Sequence, residues 1–158
     1  MGLMDKLREQ DGAFKDVEAA AASGERQPLP AGKYQFRVLE PANTGLVHED
    51  TDGAVRARVS LEVEAAADDE LIGRRTSKSW TLLTADGELN EMGVEYLKKD
   101  LRTMGVERED YGLSEVETVM ADILGVIVSA GLVLNEKNGT KYENVYINSL
   151  VAAQADNF

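Results

Sequence analysis

Two tyrosines, Tyr142 and Tyr146, lie four residues apart in segment 141–151, which reads KYENVYINSLV. Alternate side chains of a β-strand share a face, so a strand here places both rings on its polar side, opposite Val145 and Ile147. Exposed flat rings on a sheet can stack on the bases of a single nucleic-acid strand, at about 1–3 kcal/mol per base. One interpretation of the spacing is therefore a stacking surface for bases.

Cations that could contact phosphates alternate along other segments. Arg56 and Arg58 lie opposite the apolar side of segment 55–65, VRARVSLEVEA, and Arg37 lies on the polar side of segment 32–40. Basic side chains interleaved with aromatic rings are typical of proteins that bind single strands. The candidate nucleic-acid contacts are Arg37, Arg56, Arg58, Arg74, Lys78, Trp80, Lys141, Tyr142 and Tyr146.

Several of these side chains also have a purely structural interpretation. Tyr142 and Tyr146 could pack beneath an N-terminal helix or at a dimer contact, where tyrosine is common. Trp80 shares a strand face with Lys78, and that face is either an exposed platform or a part of the core. Arg74 follows a glycine at a turn, where it could bind phosphate or be solvated.

The elements that position these side chains are mainly strands. Apolar residues alternate in five segments and recur at helical spacing between the third and fourth of them. The predicted strands are 32–40, 55–65, 74–83, 126–134 and 141–151, and the predicted helices are 2–23, 88–105 and 114–125. This order predicts a mainly β fold with α-helices: a five-stranded OB-fold-like barrel with a helical insert between strands 3 and 4 and an N-terminal helix.

Local signals define the ends of these elements. Ser114 and Glu117 predict a capping box at the start of the last helix, and Asn138-Gly139 predicts a hairpin turn. Segment 41–54 is rich in turn residues and predicts a loop in which His48 is exposed to solvent. Composition divides the chain into a helical arm with a linker, an OB-fold-like domain and a short tail, at residues 1–27, 28–151 and 152–158.

Composition also bears on the function classes. The chain has one histidine, no cysteine and no glycine-rich phosphate loop, so we expect no enzyme and no cofactor. The acidic run at 68–70 could hold a divalent metal, but acids in a turn are commonly solvated, and we predict no metal site. The lack of cysteine and of a secretory leader predicts the cytoplasm, and no apolar run is long enough to predict a membrane span.

The net charge of −12 argues against nonspecific binding to nucleic acid. Much of it lies in residues 88–125, which contain ten acidic and four basic residues. If these helices lie more than a Debye length of about 8–10 Å from a binding groove, their charge has little effect on a ligand there. The same acids could recruit basic partners or maintain solubility.

A set of short motifs in residues 28–150 resembles a family of small phage proteins. The motifs are LPAGKYQFRV, LIGRR, LKKDLRTMGV, DILGVIVSAGLV and NGTKYENVYI, in that order. The family is encoded beside recombination or replication genes, and its members are regarded as OB-fold single-stranded DNA-binding proteins or close relatives. The resemblance implies single-stranded DNA as the ligand, phage replication or recombination proteins as partners, and the cytoplasm of the bacterial host cell as the location.

One alternative stays open from the residues themselves. The barrel could be a module for protein interaction or for self-assembly into a homo-oligomer, through the N-terminal helix and the face of Tyr142 and Tyr146. This alternative needs no nucleic acid.

Overall fold

The computed structural model describes residues 3–9 and 28–153. The strands are β1 (Gly32–Leu39), β2 (Val47–Glu49), β3 (Val55–Ala66), β4 (Arg75–Leu83), β5 (Ile127–Lys137) and β6 (Thr140–Ala152). The helices are α1 (Leu3–Glu9), α2 (Glu91–Thr103) and α3 (Val116–Ala121), with short 3-10 turns at Asp69–Leu71 and Leu113–Glu115. The fold described is therefore mainly β.

The six strands form one open antiparallel sheet. Its main path runs β4–β3–β1–β5–β6, with Val38 of β1 opposite Leu61 of β3, and Phe36 of β1 opposite Val128 of β5. The short strand β2 pairs with the first residues of β3, and since β4 occupies the other edge of β3 there, β2 lies on the same edge as β1. This path places β4 and β6 at the two free edges.

The core is the inner face of this sheet together with the two insert helices. Ala57, Val59, Leu61 and Val63 of β3 alternate with polar residues and are each at most 1% exposed. Fully burying an aliphatic side chain contributes roughly 1.5–3 kcal/mol, so this alternation fixes which face of β3 points inward. Buried apolar residues of α2 and α3 complete the core, namely Leu97, Leu101, Val116, Val119 and Met120.

Helix α2 lies directly against the free edge of β4. Asn90 caps its start, because the Gly93 amide donates a hydrogen bond of 3.4 Å to Asn90 Oδ1. A methyl group at Gly93 would lie 2.0 Å from the carbonyl oxygen of Thr81, so only glycine allows this close approach. The contact holds α2 beside β4, where it forms one wall of the site described below.

The two free edges face each other without forming a ladder. The Thr76 hydroxyl of β4 donates to Glu143 Oε1 of β6 at 3.2 Å, and Lys78 Nζ donates to the carbonyl oxygen of Val145 at 2.5 Å. Residue numbers rise together on both sides, so the two strands run parallel here. Within the described residues no backbone pairing joins β4 to β6, so closure of the predicted barrel is not confirmed.

Several sequence-based expectations need correction. The predicted loop 41–54 contains strand β2, and His48 lies in it with a side chain only 11% exposed, 2.8 Å from Asp50 Oδ1. The helix predicted at 114–125 is limited to α3 and the preceding 3-10 turn. The Glu115 carboxylate accepts a hydrogen bond of 3.1 Å from the Gly112 amide, so the residues that cap this segment are Gly112 and Glu115. The predicted capping box at Ser114 is therefore wrong.

The structure describes only part of the predicted N-terminal helix. Within the predicted helix 2–23, residues 3–9 are helical in α1, and the rest of that segment lies outside the described residues. Residues 154–158 of the tail lie outside them as well.

Candidate nucleic-acid interface

The outer face of β3 and β4 carries a row of small hydroxyl side chains. Directly opposed residues on neighbouring strands share a face, and the register pairs Arg58 with Ser79 and Ser60 with Ser77. The two serines of β4 are exposed and Ser60 is partly exposed. Arg58 thus lies beside a hydroxyl group of β4.

Three other arginines of this face are bound to carboxylates of the same chain. Arg37 Nε lies 2.6 Å from Glu64 Oε1, and Arg75 Nε lies 3.1 Å from Glu62 Oε1. Arg56 pairs with the carboxylates of Asp50 and Asp52. The resulting pairs are Arg37–Glu64, Arg56–Asp50, Arg56–Asp52 and Arg75–Glu62, and each reduces the charge that its arginine can offer a phosphate.

The shifts in carboxyl pKa agree with this pairing. The hydrogen bond from Arg56 holds the pKa of Asp50 below its usual value. The pKa of Asp52 is lowered first by the Ala54 amide, which donates to Asp52 at 2.9 Å, and then by Arg56. Both carboxylates therefore stay charged at neutral pH and keep Arg56 engaged.

Arg58 differs from these three arginines. Its side chain is partly buried, and its Nε atom is enclosed without a hydrogen-bond partner among residues 3–9 and 28–153. No ion pair to Arg58 occurs within the same described ranges. The enclosed Nε cannot meet a ligand itself, so an anion would have to bind the other nitrogens of this guanidinium.

At the seam between β4 and β6, Lys78 lies among aromatic rings. Its Nζ is 5.6 Å from the ring centre of Trp80, 5.7 Å from that of Tyr146 and 3.9 Å from Asp100 Oδ2. The Lys78 side chain is only 18% exposed. Burial lowers the pKa of this ammonium group, and the Asp100 carboxylate offsets part of the effect.

Trp80 belongs to the core, as the structural alternative had it. The residue is 4% exposed, and its indole Nε1 donates to Asp100 Oδ2 at 2.9 Å. It shares the inner face of β4 with Lys78 and Thr76, which confirms the predicted grouping but places that group inside the sheet. A ring in this position has no free face on which a base can stack.

Tyr142 and Tyr146 are both about half exposed, at 50% and 55%. They lie on the outer side of β6, since Val145 between them is buried. Tyr146 of β6 and Ser79 of β4 line the same cleft at the seam. The structure therefore brings Tyr146 to a cleft that Ser79 also lines, and Ser79 lies opposite Arg58 in the β3–β4 register.

Two predicted residues lie apart from this surface. Lys141 is exposed near the hairpin turn and pairs in register with Glu136, on the side of β6 opposite the tyrosine rings. Arg74 precedes β4, and its charge acts on the Tyr34 hydroxyl, whose pKa is raised chiefly by burial. Neither cation lines the cleft at the seam.

The cleft at the seam has a volume of about 600 Å³ and includes residues that the sequence did not single out. Helix α2 contributes Met92, Tyr96 and Lys99, and β6 contributes Asn148. Met92 and Tyr96 are 65% and 54% exposed although they are large and apolar. Met92, Tyr96 and Asp100 are spaced by four residues, so they share one face of the helix. This spacing is the sequence signal by which Met92 and Tyr96 could have been identified.

The acidic run at 68–70 has a structural role. Asp68 caps the 3-10 turn, because its Oδ1 accepts a hydrogen bond of 3.0 Å from the Glu70 amide. In the part of the chain that the structure describes, no group of three or more acidic or histidine side chains is placed to hold a metal ion. No described helix has the length and apolar character needed to cross a bilayer.

Comparison with known proteins identifies no family for this chain. The chain matches no protein-family model and no curated protein sequence.

Proposed function

We propose that the chain is a non-enzymatic single-stranded DNA-binding protein that holds a strand across the outer face of β3, β4 and β6. The resemblance of its motifs points to phage DNA replication or recombination in the bacterial host cytoplasm. The observation that carries the proposal is Arg58, a cation without a carboxylate partner in the described chain, which lies opposite the exposed Ser79. Ser79 lines the same cleft as the half-exposed Tyr146.

The strand path supports an OB-fold as the frame for this surface. The order β4–β3–β1–β5–β6, with the two outer strands parallel across the seam, is the connectivity of an OB-fold barrel that is opened at one seam. In OB-folds the face around the second and third barrel strands binds oligonucleotides. Those strands correspond to β3 and β4, which carry Arg58 and the serine row.

The distribution of charge determines how such a strand would bind. Since Arg37, Arg56 and Arg75 are held by carboxylates, few cations remain for phosphates, and we expect stacking on Tyr142 and Tyr146 to contribute most of the affinity. Each phosphate contact on a single strand adds about 0.7 to the slope of log K against log salt. The salt dependence should therefore be shallow for a single-strand binder.

The decisive experiment is a fluorescence-anisotropy titration of a labelled dT oligomer at low and moderate salt. Arg58→Ala should weaken binding about ten-fold and reduce the salt slope by about 0.7. Arg102→Ala is the matched control, because Arg102 lies on α2, is 68% exposed and is paired with Glu109. Absence of binding at micromolar wild-type protein in low salt would refute the proposal.

One observation favours a second candidate, a protein-interaction module. Met92, Tyr96 and Tyr146 expose apolar surface around one cleft, while the carboxylates that pair with Arg37 and Arg56 weaken the case for a nucleic-acid ligand. Light scattering during size exclusion, and pull-down against the products of neighbouring genes, test this candidate. A specific complex that Tyr96→Ala abolishes, together with no affinity for dT, would establish it.

A further inference from the structure

The cleft between β4, β6 and α2 is lined by flat or apolar side chains from both β6 and α2. The Tyr146 ring lies on the β6 side, and Met92 and Tyr96 lie on the α2 side. Its volume of about 600 Å³ falls in the range of small-ligand sites and exceeds what one planar ring fills. The cleft can therefore accommodate a base with part of its sugar.

The polar groups of the cleft are mainly hydrogen-bond donors. Lys78 has three N–H donors; one donates to the Val145 carbonyl, and the ammonium group also lies 3.9 Å from Asp100 Oδ2. The Asn90 oxygen accepts from Gly93, which leaves the amino group of that amide as its donor. Asp100, the one carboxylate in the lining, already accepts from Trp80. A ligand with carbonyl oxygens complements this set.

The cleft is continuous with the proposed strand-binding face. Ser79 and Thr81 belong to the outer face of β4 and also line the cleft. Ser79 lies directly opposite Arg58 in the β3–β4 register. A strand held at Arg58 would thus pass the mouth of the cleft.

We infer that this cleft holds one nucleobase with ring carbonyls, such as thymine, turned out of a strand bound on the outer face. The base stacks on Tyr146, and its carbonyl oxygens accept from Lys78 and from the asparagine amides that line the cleft. This inference rests on the proposed function, and it adds a preference for bases that bear carbonyl oxygens over adenine, which bears none.

Trp80 provides a direct readout, since it is the only tryptophan and borders the cleft. The full chain is titrated with a dT 12-mer, a dA 12-mer and an abasic 12-mer of the same length at one salt concentration, with binding followed by anisotropy and by Trp80 emission. We expect the dT oligomer to bind roughly ten-fold more tightly than the abasic oligomer and to change the emission, and the dA oligomer to bind several-fold more weakly than dT.

Two substitutions test the assignment of residues. Tyr146→Ala and Lys78→Met should each remove most of the preference for dT over the abasic oligomer, while Tyr146→Phe should keep it. Lys98→Met is the matched control for charge, because Lys98 is an exposed lysine of α2 outside the cleft. Circular dichroism verifies that each variant is folded.

The possible outcomes separate this inference from the proposed function. Equal binding of the dT and abasic oligomers without a change in Trp80 emission overturns the cleft as a base site but leaves the strand-binding surface in place. Equal binding of dA and dT with an emission change overturns the preference for carbonyl-bearing bases. Failure of all three oligomers to bind overturns the proposed function itself.

Discussion

Strand β4 has two unlike edges. Along one edge it forms a ladder with β3, from Leu83 opposite Val55 to Arg75 opposite Glu62, with one irregularity between Val55 and Arg56. Along the other edge it meets β6 through two side-chain hydrogen bonds, from Thr76 and Lys78. The paired edge is backed by apolar packing, whereas the open seam contains a buried ammonium group, a buried indole and a cleft. We therefore expect stability to be concentrated at the ladder, and the proposed base site lies at the seam.

The largest expected effect tests the paired edge. Leu61→Ala removes a side chain that is 0% exposed and lies opposite Thr76 in the ladder, and should lower the free energy of unfolding by about 2–5 kcal/mol. Ile147→Ala, at the half-buried seam, should lower it by no more than half as much. Urea unfolding followed by circular dichroism measures both, and equal losses would contradict the comparison.

A smaller effect is expected where α2 contacts β4. Alanine at position 93 places a methyl group 2.0 Å from the Thr81 carbonyl oxygen, so the helix must shift, at a cost of about 1–3 kcal/mol. Gly112→Ala is the matched control, since no atom lies closer than 3.9 Å to its added methyl group. Thermal unfolding compares the two variants. A Gly93→Ala protein as stable as the control would show that α2 moves freely on β4.

The hydrogen bonds of the seam should contribute less. Thr76→Val keeps the shape of the side chain but removes the donor to Glu143, and should cost about 0.5–1.5 kcal/mol. Ser77→Ala, one residue along on the exposed outer face, should leave the stability nearly unchanged. If both variants unfold at the same urea concentration, the Thr76 bond does not hold the seam together.

The smallest effect is a change in the pH dependence of stability. Burial lowers the pKa of Lys78 below its ordinary 10.5, so between the two values the folded state binds fewer protons than the unfolded state. The contribution of Lys78 to the free energy of unfolding therefore increases as the pH rises toward 10.5, and it is constant above that pH. Lys78→Met should lose that rise relative to the wild type, and Lys98→Met should retain it. Urea unfolding at several pH values between 7 and 10 measures the difference.

Much of the fold was predictable because each strand of the main path buries a continuous alternating set of residues. The pattern of Val59, Leu61 and Val63 identified β3, and the Asn138-Gly139 turn identified the β5–β6 hairpin. Strand β2 was missed because three residues are too few to show a period of two. The open seam between β4 and β6 was not predictable, because the distance between these two strands depends on the twist and curvature of the whole sheet.

The candidate site was predictable only in part. Alternation placed Lys78 and Trp80 together, but a face that contains a lysine does not reveal whether it points inward. It also grouped Arg56 with Arg58, although only Arg56 has carboxylate partners, which come from the loop after β2. These ion pairs depend on the tertiary structure. The sequence of the strand alone therefore cannot distinguish an arginine that is paired with a carboxylate from one that is not.

Glu143 joins three parts of the chain that are far apart in sequence. Its carboxylate accepts from the Leu29 amide at 2.7 Å and from the Thr76 hydroxyl at 3.2 Å, across separations of 114 and 67 residues. Contacts of such high order form slowly, because a long loop must close before they bring any gain. During synthesis, the hydrogen bond between the Leu29 amide and Glu143 can therefore form only after nearly the whole domain has left the ribosome.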